Sequence, residues 1–103
     1  MNTISDALLQ LYKDLRNAYW YASSIDDKDR IAGLADAVYE LNNAILQGQI
    51  VKNDEVFDRE SDLLTSTIAA LKRASDDIDR LVKQVGIAAK IASGLARALA
   101  LLA

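Results

Sequence analysis

The 103-residue chain contains no cysteine, no histidine and no proline, and these absences narrow its chemistry. Without cysteine it has no disulfide framework, no thiolate nucleophile and no cysteine-ligated zinc. Without histidine it lacks the imidazole that nucleophilic triads, many metal sites and pH switches use. Its four glycines, at positions 33, 48, 86 and 94, are scattered and form no phosphate-binding loop. We therefore predict no enzymatic activity, no catalytic residue, no metal site and no cofactor.

Basic residues are outnumbered as well, with 12 lysines and arginines against 15 acids and a net charge of −3. An acidic balance disfavours nucleic acid as a partner. The charge is uneven, because residues 1–62 carry 12 acids and 6 bases whereas residues 63–103 carry 3 acids and 6 bases. The interpretation we favour is that the acidic part packs against the basic part. The alternative is that the basic part meets an anionic surface.

What the chain has in excess is apolar residues, 51% of the total, and their spacing is helical almost throughout. The positions Ile4, Leu8, Leu11 and Leu15 alternate in steps of four and three, which predicts a helix over about residues 4–22. After a serine- and aspartate-rich break, a similar stripe predicts a second helix over about 25–47, with Gly48 as its C-terminal cap. The short connection predicts an antiparallel hairpin within a single helical domain, 1–103.

A third stripe of apolar residues keeps one phase from Leu64 to Leu102. It predicts one long helix over about 54–101, capped by Asn53 or Asp54, with a possible break near 75 or 86. The fold is thus expected to be all-α, with the hairpin packed on a long third helix. A four-helix bundle, in which Ser75 would cap the fourth helix, is the alternative. We favour the long helix because the segment 74–77 contains neither glycine nor proline.

Residues 80–103 carry the clearest indication of function. Lys83, Lys90 and Arg97 recur every seven residues and nearly everything between them is apolar or small. Three interpretations fit: a buried central helix, the seam of a homo-oligomer or of a complex with another helical protein, or a helix at an anionic lipid surface. The partner contacts expected in this segment are Ala89, Ala92, Leu95, Leu99 and Leu102, and the expected anionic-surface contacts are Lys83, Lys90 and Arg97.

The aromatic residues are concentrated in one part of the chain, with five of the six between residues 12 and 39. Tyr19, Trp20 and Tyr21 are consecutive, and on a helix their side chains point about 100° apart. At least one ring is therefore expected to be exposed at the end of the first helix. The interpretation we favour is packing over the turn, and the alternative makes these three residues contacts to a partner.

The remaining patterns bear on compartment and metal binding. The first residues lack the features of a secretory signal, and Lys90 and Arg97 make residues 85–103 costly as a membrane span, so a cytoplasmic protein is expected. The acid clusters at 26–29 and 76–79 do not match a calcium loop, and helix-start capping accounts for them. The sequence thus predicts a self-assembling helical protein–protein interaction module. The alternative is a small membrane-surface protein that acts through its basic C-terminal helix.

Overall fold

The computed structural model describes residues 3–46 and 61–102 of the chain. The described residues contain no β-strand, only an isolated antiparallel bridge between Ala22 and Val82. The prediction of an all-α fold is confirmed. The helices are α1 (Thr3–Ala18), a short 3-10 helix (Tyr19–Tyr21), α2 (Ile25–Leu46), α3 (Ser61–Leu81) and α4 (Val85–Leu102).

Helix α1 forms on the predicted stripe, since Leu8, Leu11 and Leu15 are all fully buried. Asp6 in its first turn and Arg16 in its last turn have the signs that the helix dipole favours. The α-helix ends at Ala18 and not near residue 22, because the chain tightens into the 3-10 helix. Ala22 is then extended, with φ −67° and ψ 149°, which allows it to bridge to Val82.

Helix α2 begins where its capping residues predict. The Ser24 hydroxyl accepts a hydrogen bond from the Asp27 backbone N–H at 3.1 Å, and the Ser24 carbonyl accepts one from Lys28 at 2.9 Å. Asp26 and Asp27 lie in the first turn, where a carboxylate is favoured by the dipole. The helix continues to Leu46, close to the predicted end. The expected caps at Gly48, Asn53 and Asp54 lie outside the described residues.

The continuous third helix that we favoured is wrong, because the chain turns at residues 82–84, next to the possible break predicted near 86. The alternative of a four-helix bundle is confirmed for the described residues. Ser75 is an exposed residue inside α3 and caps nothing, so the break predicted there is wrong as well. Helix α4 is capped by Gln84, whose side-chain oxygen accepts a hydrogen bond from the Ile87 N–H at 2.8 Å. Gly86 makes room for this cap, since a Cβ there would lie 3.2 Å from that oxygen.

The four helices form a bundle in which α1 packs against α2 and α4, and α3 packs against the same two helices. Among the described residues, the diagonal pairs α1–α3 and α2–α4 make no close backbone contact. Both tight turns lie at one end of the bundle, because Ala22 bridges to Val82. We call this end, residues 19–25 and 82–85, the tip. The fully buried large side chains of the core are Leu8, Leu11, Leu15, Ile31, Val38, Leu41, Leu71, Leu81, Val82, Ile91 and Leu95.

Candidate interaction surfaces

The tip is held together by hydrogen bonds between the two turns. The Ser23 backbone N–H donates to the Leu81 carbonyl at 2.9 Å, and its hydroxyl donates to the Arg80 carbonyl at 2.8 Å. The last carbonyls of a helix have no partner within the helix, and a glycine-containing cap often satisfies them. Here Ser23 of the other turn binds them. The tip is therefore a fixed platform built from both helical hairpins.

This platform exposes several large apolar side chains. Trp20 is 73% exposed, Tyr21 48%, Ile25 77% and Val85 81%. Tyr19 is half-buried, and the Trp20 ring meets it edge-on with the ring centres 5.3 Å apart. Of the three predicted aromatic contacts, the structure thus leaves Trp20 and Tyr21 accessible. Ile25 and Val85 are additions. In the sequence, Ile25 lies in the serine- and aspartate-rich break, and Val85 lies on the third apolar stripe.

A small pocket of about 260 Å³ lies beside the exposed tryptophan. The residues that line it include two aromatics, Tyr19 and Trp20, and two of opposite charge, Arg16 and Asp36. The Arg16 guanidinium already donates to the Tyr12 hydroxyl at 2.9 Å. Asp36 is exposed and makes no ion pair among the described residues. The pocket is large enough for one apolar side chain of a partner.

The predicted partner contacts on α4 divide into three groups. Leu95 and Leu102 are buried in the core of this chain, so the bundle itself already covers them. Ala92 and Leu99 are half-buried against that core. Only Ala89 is exposed. The large apolar side chains of the stripe are therefore used inside the chain, and Leu95 and Leu102 are unavailable to a partner in this fold.

The three cations predicted to meet an anionic surface are all exposed, but they do not form one helical stripe. Lys83 lies in the turn before α4, so only Lys90 and Arg97 are on the helix. The Lys90 ammonium lies 3.4 Å from the Asp14 carboxylate on α1, and the lysine side chain remains 66% exposed. Lys83 and Arg97 make no ion pair among the described residues.

Helix α4 is, within the part of the chain that the structure describes, the one helix long and apolar enough to cross a membrane. Its larger apolar side chains, such as Ile91 and Leu95, point into the bundle. Its exposed side consists mainly of small residues and the two cations. The core helix of a bundle has the same length and composition, so the resemblance to a span is weak evidence for one.

The seam between α2 and α3 contains an open groove of about 400 Å³. Small residues leave it unfilled: Gly33 and Ala37 on α2, and Ala70 and Ala74 on α3. At its tip end the Arg30 guanidinium donates to the Asp77 carboxylate at 2.7 Å, which joins the two helices.

This hydrogen bond from Arg30 is the main reason that the pKa of Asp77 lies below its usual value, and Arg80 adds to the effect. The acids at 76–79 were expected at a helix start, and that expectation is wrong. They lie near the C-terminal end of α3, where the dipole disfavours them. The two arginines offset that cost at Asp77. Among the residues that the structure describes, no group of three or more acids is placed to hold a metal ion.

No protein-family model, no curated protein and no solved structure shows significant similarity to this chain. Inferences about its function therefore depend on its own surfaces.

Proposed function

We propose that the protein is a non-enzymatic helical protein–protein interaction module that self-assembles, with the tip as its principal contact. The observation that carries the proposal is the exposure of Trp20, Ile25 and Val85 at one end of the bundle. Hydrogen bonds from Ser23 join the two turns at this end. Tryptophan and tyrosine are enriched among the residues that dominate binding energies, and clustered apolar exposure marks interaction sites.

The size of the expected gain supports this choice. An aromatic side chain removes about 150–250 Å² from water when it is buried, and each Å² contributes about 25 cal/mol. Covering Trp20 alone would thus contribute roughly 4 kcal/mol before the costs of association are subtracted. Because Ser23 fixes the two turns in place, little backbone entropy is left to lose at the tip on binding.

Trp20 is also the only tryptophan in the chain, so its fluorescence reports directly on the tip. We expect the mass measured by analytical ultracentrifugation to rise with concentration. The tryptophan emission should shift to the blue over the same range, because the ring leaves water. A protein whose emission and mass both stay constant as the concentration rises would contradict the proposal.

Variants separate the tip from other surfaces. Replacing Ile25 and Val85 with serine removes apolar surface from the tip, and we expect it to weaken association at least about tenfold, or 1.4 kcal/mol. Leu9 provides the matched control, since it is an exposed apolar residue in the middle of α1, away from the turns. If Leu9→Ser weakens association as much as the tip variant does, the contact is elsewhere.

A membrane-surface function is the second candidate, and one observation favours it. No acid follows Asp79, while Lys83, Lys90 and Arg97 are all exposed. Against it, Ile91, Leu95 and Leu102 of α4 are buried in the bundle, so the helix would have to leave the bundle to place them in lipid.

Vesicles distinguish the two candidates. The membrane-surface function predicts co-sedimentation with vesicles rich in phosphatidylserine at low salt, and its loss when the three cations are changed to glutamine. Protein that remains in the supernatant with such vesicles at low salt would eliminate this candidate.

A further inference from the structure

The outward side of α2 is acidic. Asp26, Asp29, Asp36 and Glu40 are exposed, and at 100° per residue they fall within one narrow sector of the helix. None of them makes an ion pair among the described residues. Gly33 lies where this sector borders the groove between α2 and α3, and a Cβ added there would have no atom within 4 Å. We call this sector the acidic face.

The outward side of α4 has the opposite charge. Lys90 and Arg97 lie there, Lys83 precedes the helix, and α4 contains no acid. We call this sector the basic face. Between and beside the cations the exposed side chains are small: Ala89, Ser93, Ala96 and Ala100. Another helix could therefore approach this side closely without displacing large side chains.

The two faces lie on opposite sides of the bundle, because α2 and α4 are diagonal partners that make no close backbone contact in the described part of the chain. They cannot neutralise each other within one copy. Their spacing is nevertheless matched. Asp29 and Asp36 are seven residues apart, as are Lys90 and Arg97, which on a helix is about 10 Å in each case.

We propose that the basic face of one copy docks on the acidic face of a second copy. The inference rests on the proposed self-assembly and adds a lateral contact to the one at the tip. Charge complementarity at matched spacing is the argument for this occupant. Since the two faces differ and point in opposite directions, each added copy leaves one of each free. Lateral assembly is thus an open stack and not a closed dimer.

Reciprocal charge reversal tests the contact. One variant carries Lys90→Glu and Arg97→Glu, and the other carries Asp29→Lys and Asp36→Lys. Each alone has two faces of like charge, so we expect its lateral association, measured by ultracentrifugation at low salt, to fall at least about tenfold. Mixing the two variants in equal amounts should restore association, because each then supplies the face that the other lacks.

Two controls keep the test interpretable. Lys90→Glu places a second carboxylate near Asp14, so Arg97→Glu alone, which breaks no described ion pair, is measured beside it. Lys72→Glu with Arg73→Glu makes the same change of net charge on the exposed side of α3 and should leave association unchanged. Circular dichroism and thermal unfolding establish that each variant is folded.

The outcomes separate this contact from the proposed function. Loss of association in each variant and recovery in the mixture support the lateral contact. Association that survives both reversals overturns the lateral contact and leaves self-assembly through the tip in place. A mixture that associates no better than either variant alone also overturns the lateral contact. The lateral contact is also overturned if the basic-face variant loses binding to anionic vesicles but still associates normally. A wild-type protein that is monomeric throughout rejects the proposed function itself.

Discussion

The seam between α1 and α4 and the seam between α2 and α3 use small residues to opposite effect. Gly94 of α4 faces Leu11 of α1 so closely that a Cβ on the glycine would lie 3.3 Å from the Leu11 Cδ1. Across the other seam, Gly33 and Ala37 of α2 face Ala70 and Ala74 of α3, and a groove remains. A small residue opposite a large one closes a seam, whereas small residues on both sides leave it open.

The largest difference between the two seams is expected when a leucine is truncated. Leu11 is fully buried, so Leu11→Ala should lower the free energy of unfolding by about 2–5 kcal/mol. Leu34 borders the groove and is less enclosed, so Leu34→Ala should cost less. Urea unfolding followed by circular dichroism measures both. Equal costs would show that the groove is closed in solution.

Enlarging an alanine should give the next largest effect. Ala98 is fully buried on α4, and Ala98→Leu overfills the core at a cost of about 1–3 kcal/mol. Ala70 lines the groove, which has room for a larger side chain, so Ala70→Leu should leave the free energy of unfolding unchanged or raise it. If Ala70→Leu destabilises the protein as much as Ala98→Leu, the two seams do not differ in packing.

The two helical glycines provide a matched pair with a smaller effect. Glycine inside a helix costs about 0.5–1 kcal/mol relative to alanine, so both substitutions gain the same backbone entropy. Gly33→Ala meets no neighbour and should stabilise the protein by about that amount. Gly94→Ala must push Leu11 aside, so its gain should be smaller or negative. A larger gain at Gly94 than at Gly33 would reverse the comparison.

The smallest effect concerns the ion pair that joins α2 to α3. The pKa of Asp77 is lower in the folded protein than its usual 3.8, first because of the hydrogen bond from Arg30. The pair therefore stabilises the fold above about pH 4, and this contribution is lost as the pH falls through the lowered pKa. Thermal unfolding between pH 6 and pH 2 should show a shallower acid dependence in Asp77→Asn than in the wild type. Identical acid profiles would show that this pair contributes nothing.

Much of the fold follows from local sequence patterns. The stripe through Leu8 and Leu15 predicts α1, and the hydroxyl of Ser24 with the acids behind it predicts where α2 begins. These signals act within a few residues of the structure they specify. The all-α class is therefore readable from the sequence.

A break near 75 or 86 is one of the alternatives, but local patterns do not favour it over a continuous helix, for two physical reasons. Leu81 at the end of α3 and Ala88 in α4 are both buried and are seven residues apart. The heptad phase of the apolar stripe therefore continues across the turn. The end of α3 is also capped by Ser23, which is 58 residues away from Leu81 in the sequence. On the other side of the turn, Gln84 is not among the residues that usually cap a helix.

The candidate site was likewise only partly predictable. Three consecutive aromatic residues cannot all face one core, which makes an exposed ring at positions 19–21 foreseeable. Ile25 and Val85 were not foreseeable, because their exposure depends on both turns meeting at one end. Leu95 and Leu102 were assigned to a partner because α4 was expected to project beyond the hairpin. Because α4 packs as the fourth helix of the bundle, these two side chains are buried within the chain itself.

We propose that this chain associates with itself. Sedimentation velocity with absolute mass, run on wild-type protein from low to high micromolar concentration at low salt, tests it most directly. We expect a mass above the 11.3 kDa of one chain that rises with concentration and falls when Ile25 and Val85 are replaced with serine. A constant mass of 11.3 kDa at every concentration would contradict the account.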